Sequence, residues 1–249
     1  DLDSYGDSAS VHLPKYWRQA VEMLGEDTLV AHGIVPWHIP RMVEQLREAF
    51  FLNDPARILR CSAELGHYVA DANVPLHTTR NHNGQLTNQH GIHGFWESRL
   101  PELFSKQYNF MVGRATYVDD VQQRVWDAVR RAHAAVDSVL DEERILGINQ
   151  EANKYNYETK GKQTIRVYST DYSKRYHDQL HGMVERQMRA SVKMVGDLWY
   201  TAWVDAGQPD LQRLIQYTPS AEEIQQRKCE WEQWKTLRYA VRDHESDGN

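Results

Sequence analysis

Residues 54–77 read DPARILRCSAELGHYVADANVPLH. Asp54-Pro55 has the form of a helix start, an acidic N-cap followed by a first-turn proline. Beyond it Ile58, Cys61, Leu65 and Val69 recur at helical spacing and form an apolar stripe. Arg60, Glu64, His67 and Asp71 form a polar line beside that stripe. Pro75 closes the helix, because the residue before a proline avoids the helical region. The stretch therefore predicts an amphipathic helix whose proline-fixed exit carries His77. A polar line is ordinarily a solvated face. His67 and Asp71, four apart, also share one side of a helix and can offer two atoms to a single ion.

The same helix opens a histidine-rich region. Gly66–Glu97 holds five of the chain's twelve histidines, at 67, 77, 82, 90 and 93. Residues 78–92 are rich in Asn, Gly, Thr and Gln without periodicity, which reads as a loop. Helix resumes near Ile92 and runs toward Pro101 or slightly beyond. On it His93 and Glu97 repeat the His-x3-acid device. Glu97 follows Phe95 and Trp96, an apolar setting in which an unpaired carboxylate is costly. Its partner is either a bound cation or a base such as Arg99. His77 alone reads as a hydrogen-bonding residue, and His82 and His90 read as rim or surface residues. Taken together, His67-x3-Asp71-x5-His77-x15-His93-x3-Glu97 offers three imidazoles and two carboxylates. This mixed nitrogen and oxygen set suits zinc. One ion needs at most four protein ligands, so five candidates point to more than one metal, and clustered ligands that share ions are the apparatus of phosphoester hydrolysis.

Helical period dominates elsewhere. LPKYWRQAVEML is expected to start at Pro14 and PRMVEQLREAFFL at Pro40. YVDDVQQRVWDAVRRAHAAVDSVLD, residues 117–141, reads as one amphipathic helix. Residues 155–170 are polar and Tyr-rich; TIRVY has the look of a strand, but one strand makes no sheet. A long helix is expected over 171–206, stopped by Gly207 and Pro209, and a last one over 220–242, with HESDGN frayed beyond it. In that last helix Trp231 and Trp234 pack on the chain's own body or dock on a partner. The fold class is all-α: a single multi-helix domain over 1–210 and a helical extension over 211–249.

The 249 residues carry a net charge of −6, which argues against gripping nucleic acid or anionic membrane by bulk charge alone. No apolar run approaches the roughly 18 residues a membrane helix needs. Cys61 and Cys229 have neither zinc-ribbon nor redox spacing, and a disulfide between them stays open. Eight Trp and thirteen Tyr suit a well-filled core or an aromatic-walled cleft.

GHYVADANVPLH followed by GIHGFWESRLPELF resembles the superfamily of zinc-dependent phospholipases C and single-strand-specific zinc nucleases, especially its bacterial members. The resemblance extends over about 1–210, including GMVERQMRASVKMVGDLWYTAWVDAGQPD. It implies an all-α fold with three zinc ions in a cleft. It implies further that His67 binds one ion of a close pair, that Asp71 bridges the pair, and that His77, His93 and Glu97 hold a third, more exposed ion. Asp71 and Glu97 are thereby the carboxylates closest to the chemistry. Glu at the last position is similar to the phospholipase branch, where the nuclease branch usually has Asp. The family's N-terminal Trp and its upstream His, Asp and His ligands find no match here; Asp1 is the candidate for the end of that upstream segment, and His12, His32 and His38 do not fit the missing roles. The resemblance thus implies a chain lacking its N-terminal part, with one or two zinc sites wholly or partly retained.

The expected function is zinc-dependent phosphodiester hydrolysis, phospholipase C-like. The alternatives are a single-strand-specific nuclease and, from another class, a truncated non-catalytic zinc-binding helical module. The substrate is a phospholipid headgroup or single-stranded nucleic acid, with no stable protein partner. Export follows from the family alone: periplasmic, envelope-attached or secreted. A di-iron bundle is disfavoured, because those sites use Glu-x-x-His pairs.

Overall fold

The computed structural model describes residues 1–6, 12–150, 153–161, 163–215, 218 and 220–236. Eleven helices run through them: α1 Trp17–Leu24, α2 Glu26–His32, α3 Val35–Phe51, α4 Pro55–Asp71, α5 at 92–104, α6 Val121–His133, α7 Val136–Gln150, α8 Thr170–Gln179, α9 Met183–Asp205, α10 Leu211–Ile215 and α11 Ala221–Thr236. A hairpin of β1 Tyr155–Lys160 and β2 Gln163–Tyr168 is the only sheet among the described residues. The protein is therefore mostly helical, all-α at a coarse level.

α4 starts as its residues require. The Asp54 carboxylate accepts from the Arg57 N–H at 3.1 Å, and Pro55 fills the first turn. Cys61, Leu65 and Val69 are buried. α3 differs from expectation: it begins at Val35, and Pro40 lies inside it. Pro40 has no N–H for the Pro36 carbonyl four residues back. The Gln122 side-chain amide from α6 fills that vacancy, donating to the Pro36 carbonyl at 2.7 Å. α1 starts at Trp17, three residues beyond Pro14.

Two expected helices are each broken in two. The 117–141 segment turns at Ala134-Ala135 between α6 and α7, and Asp120 caps the start of α6 by accepting from the Gln123 N–H at 2.9 Å. The 171–206 segment breaks between α8 and α9, where His181 and Gly182 both take positive φ, 49° and 73°. The strand read in TIRVY is present, and its partner is YNYETK, paired antiparallel with Tyr155 opposite Tyr168. α11 lies within the last helix expected, over 220–242. The side chains of Trp231 and Trp234, and residues 237–249, lie outside the described residues.

Apolar side chains gather in two cores. One joins α3, α4, α6 and the C-terminal half of α9 around Trp37, Leu65, Val69, Trp126 and Leu198. The other joins the turn Pro75–Thr78, α5, α7 and α8 around Leu76, Ile92, Phe95, Tyr172 and Tyr176. Each buried Leu or Phe contributes roughly 1.5–3 kcal/mol. The chain crosses from the first core to the second between Val69 and Leu76. That crossing carries Asp71 and delivers His77. No helix among the described residues is long and apolar enough to cross a membrane.

Candidate metal centre

Three elements present the histidine and acid side chains. α4 ends on Asp71; the 3-10 turn Pro75–Thr78 carries His77; α5 carries His93 and Glu97. α5 is not uniform. Phe95–Arg99 is a π-helical turn, with the Leu100 N–H bonded to the Phe95 carbonyl, between the α-helical pieces Ile92–Gly94 and Leu100–Phe104. Pro101 lies four residues after Glu97 and has no N–H to give the Glu97 carbonyl, which is a local reason for the helix to widen there. Phe95 and Trp96 point into the second core, so Glu97 is held on the opposite side with His93.

His77 Nε2, His93 Nε2 and Glu97 Oε2 form a triangle. Its sides are 3.2 Å between the two nitrogens, 3.4 Å from His77 to Glu97 and 2.7 Å from His93 to Glu97. Ligands about 2.0–2.1 Å from a tetrahedral ion stand roughly 3.3 Å apart. Two sides meet that spacing and the third is shorter. Among the described residues this is the one group of three or more His, Cys, Asp or Glu side chains that can hold a metal ion. Glu97 Oε2 is shielded from solvent and accepts no well-formed hydrogen bond, although both imidazoles lie within reach. Burial pushes the Glu97 carboxyl toward its neutral form; His77 and His93 beside it outweigh that and hold it well below the usual carboxylate range. Arg99, the competing partner, is turned away: its guanidinium binds Glu158 and Glu102, and its Nε donates to the Tyr168 carbonyl.

The far nitrogen of each ring faces an acceptor. His93 Nδ1 lies 3.2 Å from the His82 carbonyl, and His77 Nδ1 lies 3.5 Å from Asp71 Oδ1. With an ion bound, protons on both Nδ1 atoms would leave both Nε2 lone pairs turned toward it, the arrangement by which outer groups orient metal-binding histidines. The rings are nearly parallel, 17° apart, with centroids 4.9 Å apart.

Of the five sequence-derived candidates, His77, His93 and Glu97 come together. Asp71 adjoins them through His77. His67 is at 68% side-chain exposure and lies beside Asp71, Nε2 to Oδ2 at 3.5 Å. Asp71 therefore stands between two imidazoles. His82 contributes its backbone carbonyl, and His90 is exposed.

Other groups around the centre escaped the sequence reading. Asp3 supports the turn after His77: its carboxylate accepts from the Thr79 hydroxyl at 2.5 Å and the Arg80 N–H at 3.0 Å, with His133 Nε2 at 3.6 Å. The other His133 nitrogen lies 3.1 Å from the Thr78 hydroxyl. Asp1 and His32, both weighed from the sequence, pair with each other, Nδ1 to Oδ2 at 3.9 Å. These contacts span 31 to 130 positions, and no local spacing signals them. Cys61 and Cys229 are both free, the first buried and the second exposed.

Set against known protein families, curated proteins and solved structures, the chain has no match.

Proposed function

We propose that the protein is a zinc-dependent phosphoric diester hydrolase of the phospholipase C type. The observation that carries the reading is the triangle of His77 Nε2, His93 Nε2 and Glu97 Oε2, with a solvent-shielded carboxylate oxygen at one corner. Two neutral imidazoles and one carboxylate are the donor set of an open zinc site, in which a further position stays free for substrate. The order His-x3-Asp, His, His-x3-Glu, which resembles that of zinc-dependent phospholipases C and, with Asp in the last position, that of single-strand nucleases, turns a metal site into a phosphodiesterase proposal.

In this reading His77, His93 and Glu97 hold the ion. When bound, it supplies Lewis-acid stabilisation of charge on phosphoryl and leaving-group oxygens. Asp71 keeps the His77 Nδ1 proton in place and so fixes which nitrogen faces the ion. His67, exposed beside Asp71, is placed to meet substrate or a second ion. Glu97 stays ionised at neutral pH, as a ligand must.

The test is hydrolysis by the full gene product loaded with zinc, given phosphatidylcholine vesicles and, separately, denatured DNA. Chelator-sensitive release of diacylglycerol is the expected result. Release of nucleotides instead moves the assignment to the nuclease branch. Activity on neither substrate, with zinc bound, overturns the hydrolase reading and leaves a zinc-binding helical module.

A further inference from the structure

Resting on the metal reading above, we infer that Gln89 and Glu143 are positioning residues for the metal centre, fixing the His-bearing loop to α7 from more than fifty residues away. Glu143 is at 1% exposure, a carboxylate inside the second core. A buried charge of this kind costs much unless every lone pair is used. Here Oε1 meets Lys154 Nζ at 2.7 Å and accepts from the Tyr172 hydroxyl at 2.7 Å, and Oε2 accepts from Gln89 Nε2 at 2.6 Å. Lys154 fixes the approach to the hairpin and Tyr172 fixes α8. Gln89 is the one bond that reaches the loop between His77 and His93.

Gln89 is itself buried and works in three directions. Its side-chain amide donates to Glu143 and also to the Leu140 carbonyl at 2.8 Å. Its backbone carbonyl accepts from the Ile92 N–H at 3.1 Å, the start of the turn that carries His93. Its backbone N–H donates to the Gly84 carbonyl at 2.9 Å, closing the loop on itself. That closure is tight: Gly84 has φ +73°, and a Cβ there would lie 2.3 Å from the Gln89 carbonyl oxygen. Asn81 and Asn83 bind the Leu86 and Gly91 N–H groups and make the loop one hydrogen-bonded body. Within that body sits the His82 carbonyl, 3.2 Å from His93 Nδ1. The pin at Gln89 thus sets both the backbone of His93 and the acceptor that orients its ring, and Glu143 acts only through it.

The experiment is cobalt(II) titration of the full chain, read by visible absorption, for wild type, Gln89→Met and Tyr172→Phe. Gln89→Met is expected to weaken cobalt binding about tenfold to a hundredfold and to shift the absorption band. Tyr172→Phe, which removes a different bond to Glu143, should leave both unchanged. Should Gln89→Met not fold, Gln89→Asn, one methylene too short to reach Glu143, gives the same readout. Unchanged affinity and spectrum without the Gln89 bond overturn the inference alone, as does equal weakening in Tyr172→Phe, which would make the effect one of general stability. A wild-type chain that takes up no cobalt overturns the metal reading and this inference with it.

Discussion

Glu97 and Glu143 are two carboxylates in opposite conditions. Glu143 is enclosed in the protein and fully supplied: an ammonium, a hydroxyl and an amide meet its two oxygens at 2.6–2.7 Å. Glu97 is partly open to solvent, yet its Oε2 is shielded and faces two imidazole nitrogens without a well-formed hydrogen bond. The first is complete as the chain folds. The second has only the two imidazoles of His77 and His93 beside it, which hold its carboxyl low and form with it the group that can hold a metal ion. Burial by itself does not mark a candidate functional acid; what marks one is a carboxylate whose neighbours can all serve as metal ligands.

This contrast can be broken in several ways. The largest effect is expected at the supplied acid. Glu143→Leu strands the Lys154 charge and the Gln89 amide and should destabilise the metal-free protein by about 3–5 kcal/mol in denaturant unfolding; a loss below about 1 kcal/mol would mean that the network is not a structural staple. Next comes removal of a ligand. His93→Ala should weaken zinc binding by about a hundredfold or more, roughly the share one ligand has in a zinc site, with little change in the unfolding of the metal-free chain. Asp71→Asn keeps the shape of the side chain and removes the charge that holds the His77 proton; zinc competition with a chelator should show about a tenfold loss. The smallest effect is expected at the unsupplied acid without metal. Glu97→Gln should change metal-free stability by less than about 1 kcal/mol, as a partly exposed ion pair does, while abolishing tight zinc binding. If Glu97→Gln instead cost as much as Glu143→Leu, the two acids would play the same structural part.

The helix that opens at Asp54-Pro55 was legible because its cap, first-turn proline and apolar stripe all agree. That His93 and Glu97 share one side of a helix was legible from spacing, since His-x3-acid on a helix leaves little freedom; that His77 joins them was implied by the resemblance and not by spacing. The break at Ala134-Ala135 was hidden for a physical reason. Apolar positions 132, 136 and 140 keep their four-residue step through it, but Ala128 and Val129 serve the first core and Val139 and Leu146 the second. Periodicity reports that a face is apolar, not which core it faces. Gly182 carried a readable signal for the other break, and Gly161, with φ 65°, carried one for the hairpin turn. Pro40 misleads on its own, because its tolerance inside α3 depends on Gln122, 82 positions away. The supports of the candidate metal centre were illegible for the same reason: His82 acts through its backbone, and Asp3, His133 and Glu143 reach the site only once the chain has folded.

The most direct test of the central claim is anomalous scattering at the zinc edge from crystals of the full chain grown with zinc. The account predicts a peak about 2 Å from His77 Nε2, His93 Nε2 and Glu97 Oε2 together. Crystals with zinc in excess in which that point is empty, and in which Glu97 is hydrogen-bonded to a protonated His93, would contradict it.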